Sequence, residues 1–212
     1  MSVSAIAPRR MERGTLVGCT GCGKTTLARE LLAPYPCVVA IDPKCMLGSS
    51  EENPGGSLRG YYLCRSPEAL AEAAKRYRRL QYRTDPEHQN FEDYDRVYWW
   101  LFRRRNTMVY TDEVKLVQKG REIPDGMRAC VTSGRELGIG MLHATQRPRG
   151  IDTRLLTESE HFYVFRLRSR ADRQYMAELA EAEEIDLSPV DGHWFYHAGP
   201  RGAVARHILK GI

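Results

Sequence analysis

Eight consecutive residues, Gly18-Cys-Thr-Gly-Cys-Gly-Lys24-Thr25, fit the pattern GxxxxGK[ST]. Gly18, Gly21 and Gly23 let the backbone curl so that successive N–H groups point inward, where they can surround phosphate oxygens. The side chains of Cys19, Thr20 and Cys22 occupy positions of free identity in such a loop. The Lys24 ammonium can reach the terminal phosphates of a nucleotide, and the Thr25 hydroxyl is a hard oxygen donor suited to Mg²⁺. With Thr26, the run Gly18 to Thr26 is the expected ATP-contacting segment. An apolar stretch, Thr15-Leu16-Val17, precedes it and a helical pattern over 24–32 follows, which is the strand-to-helix context the chemistry requires.

A second group of chemical residues follows another apolar strand. Asp112 and Glu113 come directly after 107–111. An acid at a strand end beside a phosphate loop can hold the water shell of Mg²⁺, which makes Asp112 the expected metal-facing acid. Its neighbour Glu113 can polarise an attacking water as a general base. Gln146 ends a third apolar strand over 140–145, where an amide can sense a terminal phosphate or orient water. Arg135 lies near the end of the preceding helix, where it can serve as a finger inserted into the ATP site of a neighbouring subunit. Taken alone, it is one arginine among many.

The elements that must position these residues alternate strand and helix, which argues for an α/β domain built on a parallel sheet covered on both faces. Strands are expected over 37–41 and 61–64. A helix capped by Ser66 runs to about residue 82, with Pro67 in its first turn and Glu68 at its positive end. A helix over 91–105 carries Tyr94, Val97, Tyr98, Leu101 and Phe102 at helical spacing, a stripe that reads as core. A helix over 124–137, a strand over 161–167 and a helix over 171–183 follow. The segments 193–198 and 203–209 flank Gly199-Pro200-Arg201-Gly202 as a terminal hairpin. Residues 1–12 read as a loose arm and 13–212 as one domain.

With 212 residues and 42% apolar content, the chain suits a single compact core. Its formal net charge of +5 is mildly basic, and arginine far outnumbers lysine. Phosphate-rich partners are therefore plausible without being demanded. No apolar run approaches a membrane span, and the arginine-bearing N-terminus lacks the apolar stretch of a signal peptide, so the expectation is a soluble, intracellular protein. Six scattered cysteines include the pair Cys19/Cys22, but no second pair or nearby histidine completes a zinc site; free thiols are expected.

With these residues in place, the chain resembles the FtsK–HerA superfamily of DNA-pumping ATPases. In size it is similar to the genome-packaging ATPases of tailless icosahedral double-stranded DNA viruses with internal membranes. Val39-Ala-Ile-Asp42-Pro43-Lys44 looks like that superfamily's second strand, and Ala144-Thr-Gln146-Arg-Pro148 like its sensor strand. The interval from Arg135 to Gln146 matches its finger-to-sensor interval, and 191–205 resembles its closing hairpin. The membrane helices and DNA-reading module of FtsK, and the barrel of HerA, have no counterpart in this sequence, which favours the packaging branch.

The resemblance implies a RecA-like P-loop fold and a ring of subunits, a hexamer or pentamer. It also implies Mg²⁺ and ATP as cofactors, and hydrolysis coupled to moving double-stranded DNA. Glu113 would be the base, Gln146 the sensor, Arg135 the finger in trans, and Thr25 and Asp112 the metal-side residues. Capsid vertex proteins would be further partners, and host cytoplasm or the virion packaging vertex the location. Lys115, Lys119 and Arg121 are the expected DNA contacts, from a loop facing the ring pore, with Arg103-Arg104-Arg105 a second candidate. A nucleotide kinase, since Gly23 to Leu27 also suits phosphotransferases, and a non-motor ATP-dependent loader are the competing classes.

Overall fold

A computed structural model describes residues 3–47, 58–181, 193–200 and 204–209. After a 3-10 turn at Val3–Ala5, the elements are β1 (Arg13–Val17), α1 (Lys24–Leu32), β2 (Val38–Ile41), β3 (Tyr62–Cys64), α2 (Pro67–Ala73) and β4 (Arg79–Tyr82). There follow α3 (Phe91–Arg104), β5 (Met108–Thr111), α4 (Asp125–Ser133), β6 (Gly140–Thr145), α5 (Thr153–Thr157), β7 (His161–Phe165), α6 (Arg170–Leu179), β8 (Trp194–Ala198) and β9 (Val204–Ile208).

One open nine-stranded sheet runs in the order β3-β4-β2-β5-β6-β1-β7-β8-β9. β1 to β7 are parallel, and β8 and β9 close the edge antiparallel. The expected α/β class and the terminal hairpin strands are thus present; the hairpin's turn at 201–202 and most of the expected loop over 47–60 lie outside the described residues. Parallel strands covered on both faces should be apolar throughout rather than alternating, and β1, β2, β5, β6 and β7 are buried at every position.

The two faces have separate cores. Leu27, Ala28, Leu31 and Leu32 of α1 pack with Leu16, Val38, Ala40, Tyr110 and Leu142. On the other face, Tyr94, Val97, Tyr98 and Leu101 of α3 and Met127 and Cys130 of α4 pack with Val39, Ile41, Val109 and Met141. Successive residues of β2 therefore point to opposite layers. The aromatic stripe of α3 is core. Close approach of α3 and α4 needs Gly126, where a Cβ would lie 2.5 Å from the Trp99 nitrogen.

Two expectations change. The helix from Ser66 stops at Ala73, and residues 79–82 form β4. Ser66 does cap it, accepting from the Ala69 N–H at 3.1 Å. Arg79 to Tyr82 look helical locally, but pairing with both β2 and β3 and burial of Leu80, Gln81 and Tyr82 outweigh that preference. Gln81 also donates to the buried Asp42 carboxylate at 2.7 Å. In place of a loose arm, the described residues from Val3 to Glu12 are docked on the domain. Ile6 is buried, the Tyr163 and Tyr35 hydroxyls donate to the Ile6 and Pro8 carbonyls, and Glu12 meets His161 Nε2 at 2.9 Å.

Burial in this packing depresses histidine basicity. His143, wholly enclosed in β6, is pushed down to about 3. His197 is pushed down to about 4 by burial and then by the neighbouring His161, whose Nδ1 lies 3.0 Å from His197 Nε2. Folded values below the ordinary 6.5 mean that unfolding takes up protons on the acid side. Their stabilising contribution is complete above pH 6.5 and is lost as pH falls, to about 4 for His197 and about 3 for His143. Each histidine adds a slope of up to about 1.4 kcal/mol per pH unit. Asp42 and Asp112, whose carboxyls burial pushes up, act with the opposite sign. With the histidines outweighing these two carboxyls, urea unfolding midpoints are expected to fall from pH 6.5 to 4.5; a flat or rising profile would contradict that dominance.

Candidate nucleotide-binding site

The loop from Gly18 to Gly23 joins the carboxyl end of β1 to the amino end of α1. Its base is pinned between the flanking strands: the Gly18 N–H donates to the Thr145 carbonyl at 3.2 Å and the Cys19 N–H to the Arg166 carbonyl at 3.0 Å. The three loop glycines answer different demands. Gly18 has no room for a side chain, since a Cβ would sit 2.5 Å from Phe165 Cβ and 2.8 Å from Cys22 Sγ. Gly21 has open space around it, with nothing within 4 Å of where a Cβ would stand, but its φ of 75 is left-handed. Backbone conformation, not crowding, calls for glycine there. Gly23 caps α1 at φ 103, again a conformation open to glycine at little cost. The loop thus leads directly into a helix N-terminus, where peptide dipoles favour an anion. Lys24 is buried, and its ammonium donates to the Gly18 and Cys19 carbonyls at 2.7 and 2.9 Å. Thr25 and Thr26 begin the helix, both half-buried.

Asp112 and Glu113 follow β5, with β6 lying between β5 and β1. Asp112 is buried; its Oδ1 accepts from the Tyr110 hydroxyl at 2.9 Å, and burial pushes its carboxyl up. Among the described residues Oδ2 receives no hydrogen bond. Glu113 has a left-handed backbone, φ 51 and ψ 66, which a non-glycine residue adopts only when its surroundings fix it. They do: Gln146 Nε2 donates to Oε2 at 2.9 Å, the Gln146 N–H to Oε1 at 3.2 Å, and the Thr145 hydroxyl to Oε1 at 3.4 Å. Lys44 completes the set with an ion pair at 3.0 Å. On its other side, Gln146 Oε1 accepts from the Thr20 hydroxyl of the phosphate loop at 3.0 Å. One polar chain, Lys44–Glu113–Gln146–Thr20, therefore crosses the carboxyl ends of β2, β5, β6 and β1. Sequence reading placed Lys44 in a strand motif without giving it a role; its partner becomes visible only once β2 and β5 pair.

Arg135 is not brought to this site. It begins a 3-10 turn after α4 and pairs with Glu160, whose second oxygen accepts from the Arg13 N–H at 2.7 Å. That is the amino end of β1, and a five-residue strand at roughly 3.3 Å per residue separates it by about 16 Å from the start of the phosphate loop. Lys115, Lys119 and Arg121 sit in a compact turn. The Lys115 ammonium is bound to the Gly120 carbonyl, Lys119 bridges Glu122, and Arg121 donates to the Arg149 carbonyl at 3.2 Å. Arg103 and Arg104 lie over the rings of Trp99 and Trp100, at 5.9 and 5.2 Å.

All six cysteines are free thiols, and burial pushes the Cys22 thiol up, away from the thiolate form that binds metals. Among the described residues no three His, Cys, Asp or Glu side chains are grouped to hold a metal. None of the described helices is long and apolar enough to cross a membrane.

No known protein-family profile and no curated protein sequence matches the chain. Solved structures do. The genome packaging NTPase B204 of Sulfolobus turreted icosahedral virus 2, in complex with ATP-gammaS, superposes with a TM-score of 0.71 at 13% identity, over 94% of this chain and 98% of that one. VirB4 of Thermoanaerobacter pseudethanolicus gives 0.63 at 10% identity, over 94% and 89%. The N-terminal domain of zonular occludens toxin from Neisseria meningitidis gives 0.51 at 16% identity, over 94% of each. At these identities the likeness is one of fold. The fold of this chain is the mostly parallel α/β P-loop NTPase fold they share.

Proposed function

We propose that the chain is a Mg²⁺-dependent ATPase that couples ATP hydrolysis to movement of double-stranded DNA. Copies would act as a ring, a hexamer or pentamer, with ATP held between neighbours, most specifically in packaging a viral genome at the capsid vertex. The observation that carries this reading is the contact chain from the buried Glu113 carboxylate through Gln146 to Thr20 in the phosphate loop. It sets a candidate base and a candidate sensor against the loop that would hold the γ-phosphate. The packaging role is supported by the fold likeness to B204, a genome packaging NTPase.

The donor set fits Mg²⁺. Thr25 offers a hydroxyl and Asp112 a carboxylate with one oxygen free of hydrogen bonds among the described residues, and a hard cation held largely by phosphate oxygens and water needs few protein ligands. When bound, Mg²⁺ neutralises charge on the β- and γ-phosphates. The backbone N–H groups around Gly21 and Gly23 would line the phosphates. Lys24 would turn from the Gly18 and Cys19 carbonyls to the terminal phosphates, exchanging two neutral acceptors for charged ones. Gln146 would pass from Thr20 to the γ-phosphate or the attacking water, and Glu113 would accept the proton of that water. Arg135 would serve the site of an adjacent copy.

Lys24→Ala tests the nucleotide site. Loss of a charge-assisted contact worth about 1.5–3 kcal/mol should weaken ATP binding roughly 10- to 100-fold in calorimetry and abolish turnover. Unchanged affinity would remove the site. Product analysis separates the classes: release of inorganic phosphate supports an ATPase, whereas transfer to a nucleoside monophosphate would establish a kinase.

A further inference from the structure

Beside the phosphate loop lies an open cavity of about 590 Å³ whose walls hold Arg121, Arg147, Arg149 and Arg168 against a single carboxylate, Asp172. Cys19, Thr20 and Gln146 form its floor, so it adjoins the proposed hydrolysis site. Several arginines elsewhere on the surface are paired, Arg96 with Glu68, Arg128 with Asp125, Arg135 with Glu160 and Arg154 with Asp152, while others such as Arg29 and Arg76 stand singly among the described residues. What sets this cavity apart is four guanidinium groups around one opening. Among the described residues, Arg147, Arg149 and Arg168 have no such partner, and Arg121 bonds only the Arg149 carbonyl. Ser169, whose side chain caps the ten-residue helix α6, lines the same wall, so the positive helix end adds to the guanidinium field.

Resting on the DNA reading above, we propose that this arginine pocket, rather than the Lys115–Lys119 turn, grips the phosphodiester backbone of the DNA. Planar guanidinium forks match phosphate oxygens two at a time. Contacts of this kind go to phosphate oxygens, so they hold the backbone independently of sequence. In the alternative site the Lys115 ammonium is already bound to the Gly120 carbonyl, which leaves Lys119 as the one lysine there with no side-chain bond among the described residues. The pocket also gives DNA a route to the chemistry. A phosphate drawn against Arg147 and Arg149 bears on the segment that follows Gln146, and Gln146 holds Glu113.

The test measures binding of fluorescently labelled duplex DNA, AT-rich and GC-rich, against potassium chloride concentration for the full chain. The variants are Arg149→Ala with Arg168→Ala, and Arg149→Lys with Arg168→Lys; both side chains are exposed, so folding should survive. The double alanine variant is expected to weaken both duplexes equally and to lower the log–log salt slope by about 2, one per lost phosphate contact, while the lysine variant keeps the slope. ATP affinity, measured calorimetrically on the same proteins, should be unchanged. An unaltered slope would overturn the pocket. Lost ATP affinity would overturn it in favour of a nucleotide subsite. Normal DNA binding with a lost dependence of ATPase rate on protein concentration would overturn it in favour of a surface for a second copy. A wild-type chain with no duplex affinity would instead remove the DNA reading itself.

Discussion

Arg135→Ala is expected to lower ATP turnover of the assembled protein by roughly 10³ to 10⁵, the range associated with arginine fingers, while ATP affinity stays close to wild type. The expectation comes from where the side chain is. It lies at the amino end of the sheet beside Arg13 and Glu160, the full length of β1 away from Lys24. At that end of the sheet it does not reach its own phosphate loop, so direct contact with a transferring phosphate would have to be made on another copy. Subunit mixing makes this testable. Lys24→Ala subunits lack a working loop but keep Arg135, and Arg135→Ala subunits have the reverse defect. Mixed together, they should regain part of the rate that neither shows alone. Wild-type turnover by Arg135→Ala, or no recovery on mixing, would contradict delivery in trans and leave the ion pair with Glu160 as a structural tie.

Glu113→Gln is expected to bind ATP and hydrolyse it roughly 10² to 10⁴ times more slowly, the usual contribution of a general base. The substitution preserves shape, and the new amide oxygen can still accept from Gln146 Nε2, but the amide NH2 that replaces the second oxygen can no longer accept from the Gln146 N–H or the Thr145 hydroxyl. Also lost is the negative charge, together with the ion pair to Lys44. ATP should therefore remain bound and uncleaved, detectable as a long-lived nucleotide complex after gel filtration. Rapid turnover by this variant would remove Glu113 as the base and leave Asp112 to be examined in its place.

Much of this site was legible because its chemistry is contiguous. The phosphate loop is eight adjacent residues, and its glycines carry the backbone geometry with them, as the left-handed Gly21 and Gly23 show. Asp112, Glu113 and Gln146 were legible for a related reason: each ends an apolar strand, and parallel strands bring such ends to one edge. What the sequence did not reveal depends on pairing between distant segments. Lys44 meets Glu113 across a gap of 69 residues only because β2 lies beside β5. Glu160 meets Arg135 because β6 and β7 flank β1 on its two sides, and no local pattern announces either contact. The β4 strand was hidden by its own composition, since Arg79 to Tyr82 looks like a continuation of the preceding helix until two neighbouring strands claim it. The arginine pocket is assembled from three separate loops, so arginine counts alone could not distinguish it from a solvated surface.

The most direct test of a DNA-coupled ring ATPase is the steady-state hydrolysis rate per subunit, measured with and without linear duplex DNA over a wide range of protein concentration. Shared sites should make the rate per subunit climb steeply with concentration, and duplex DNA should raise it further. A rate per subunit that is flat across concentration and indifferent to DNA would contradict both the ring and the motor.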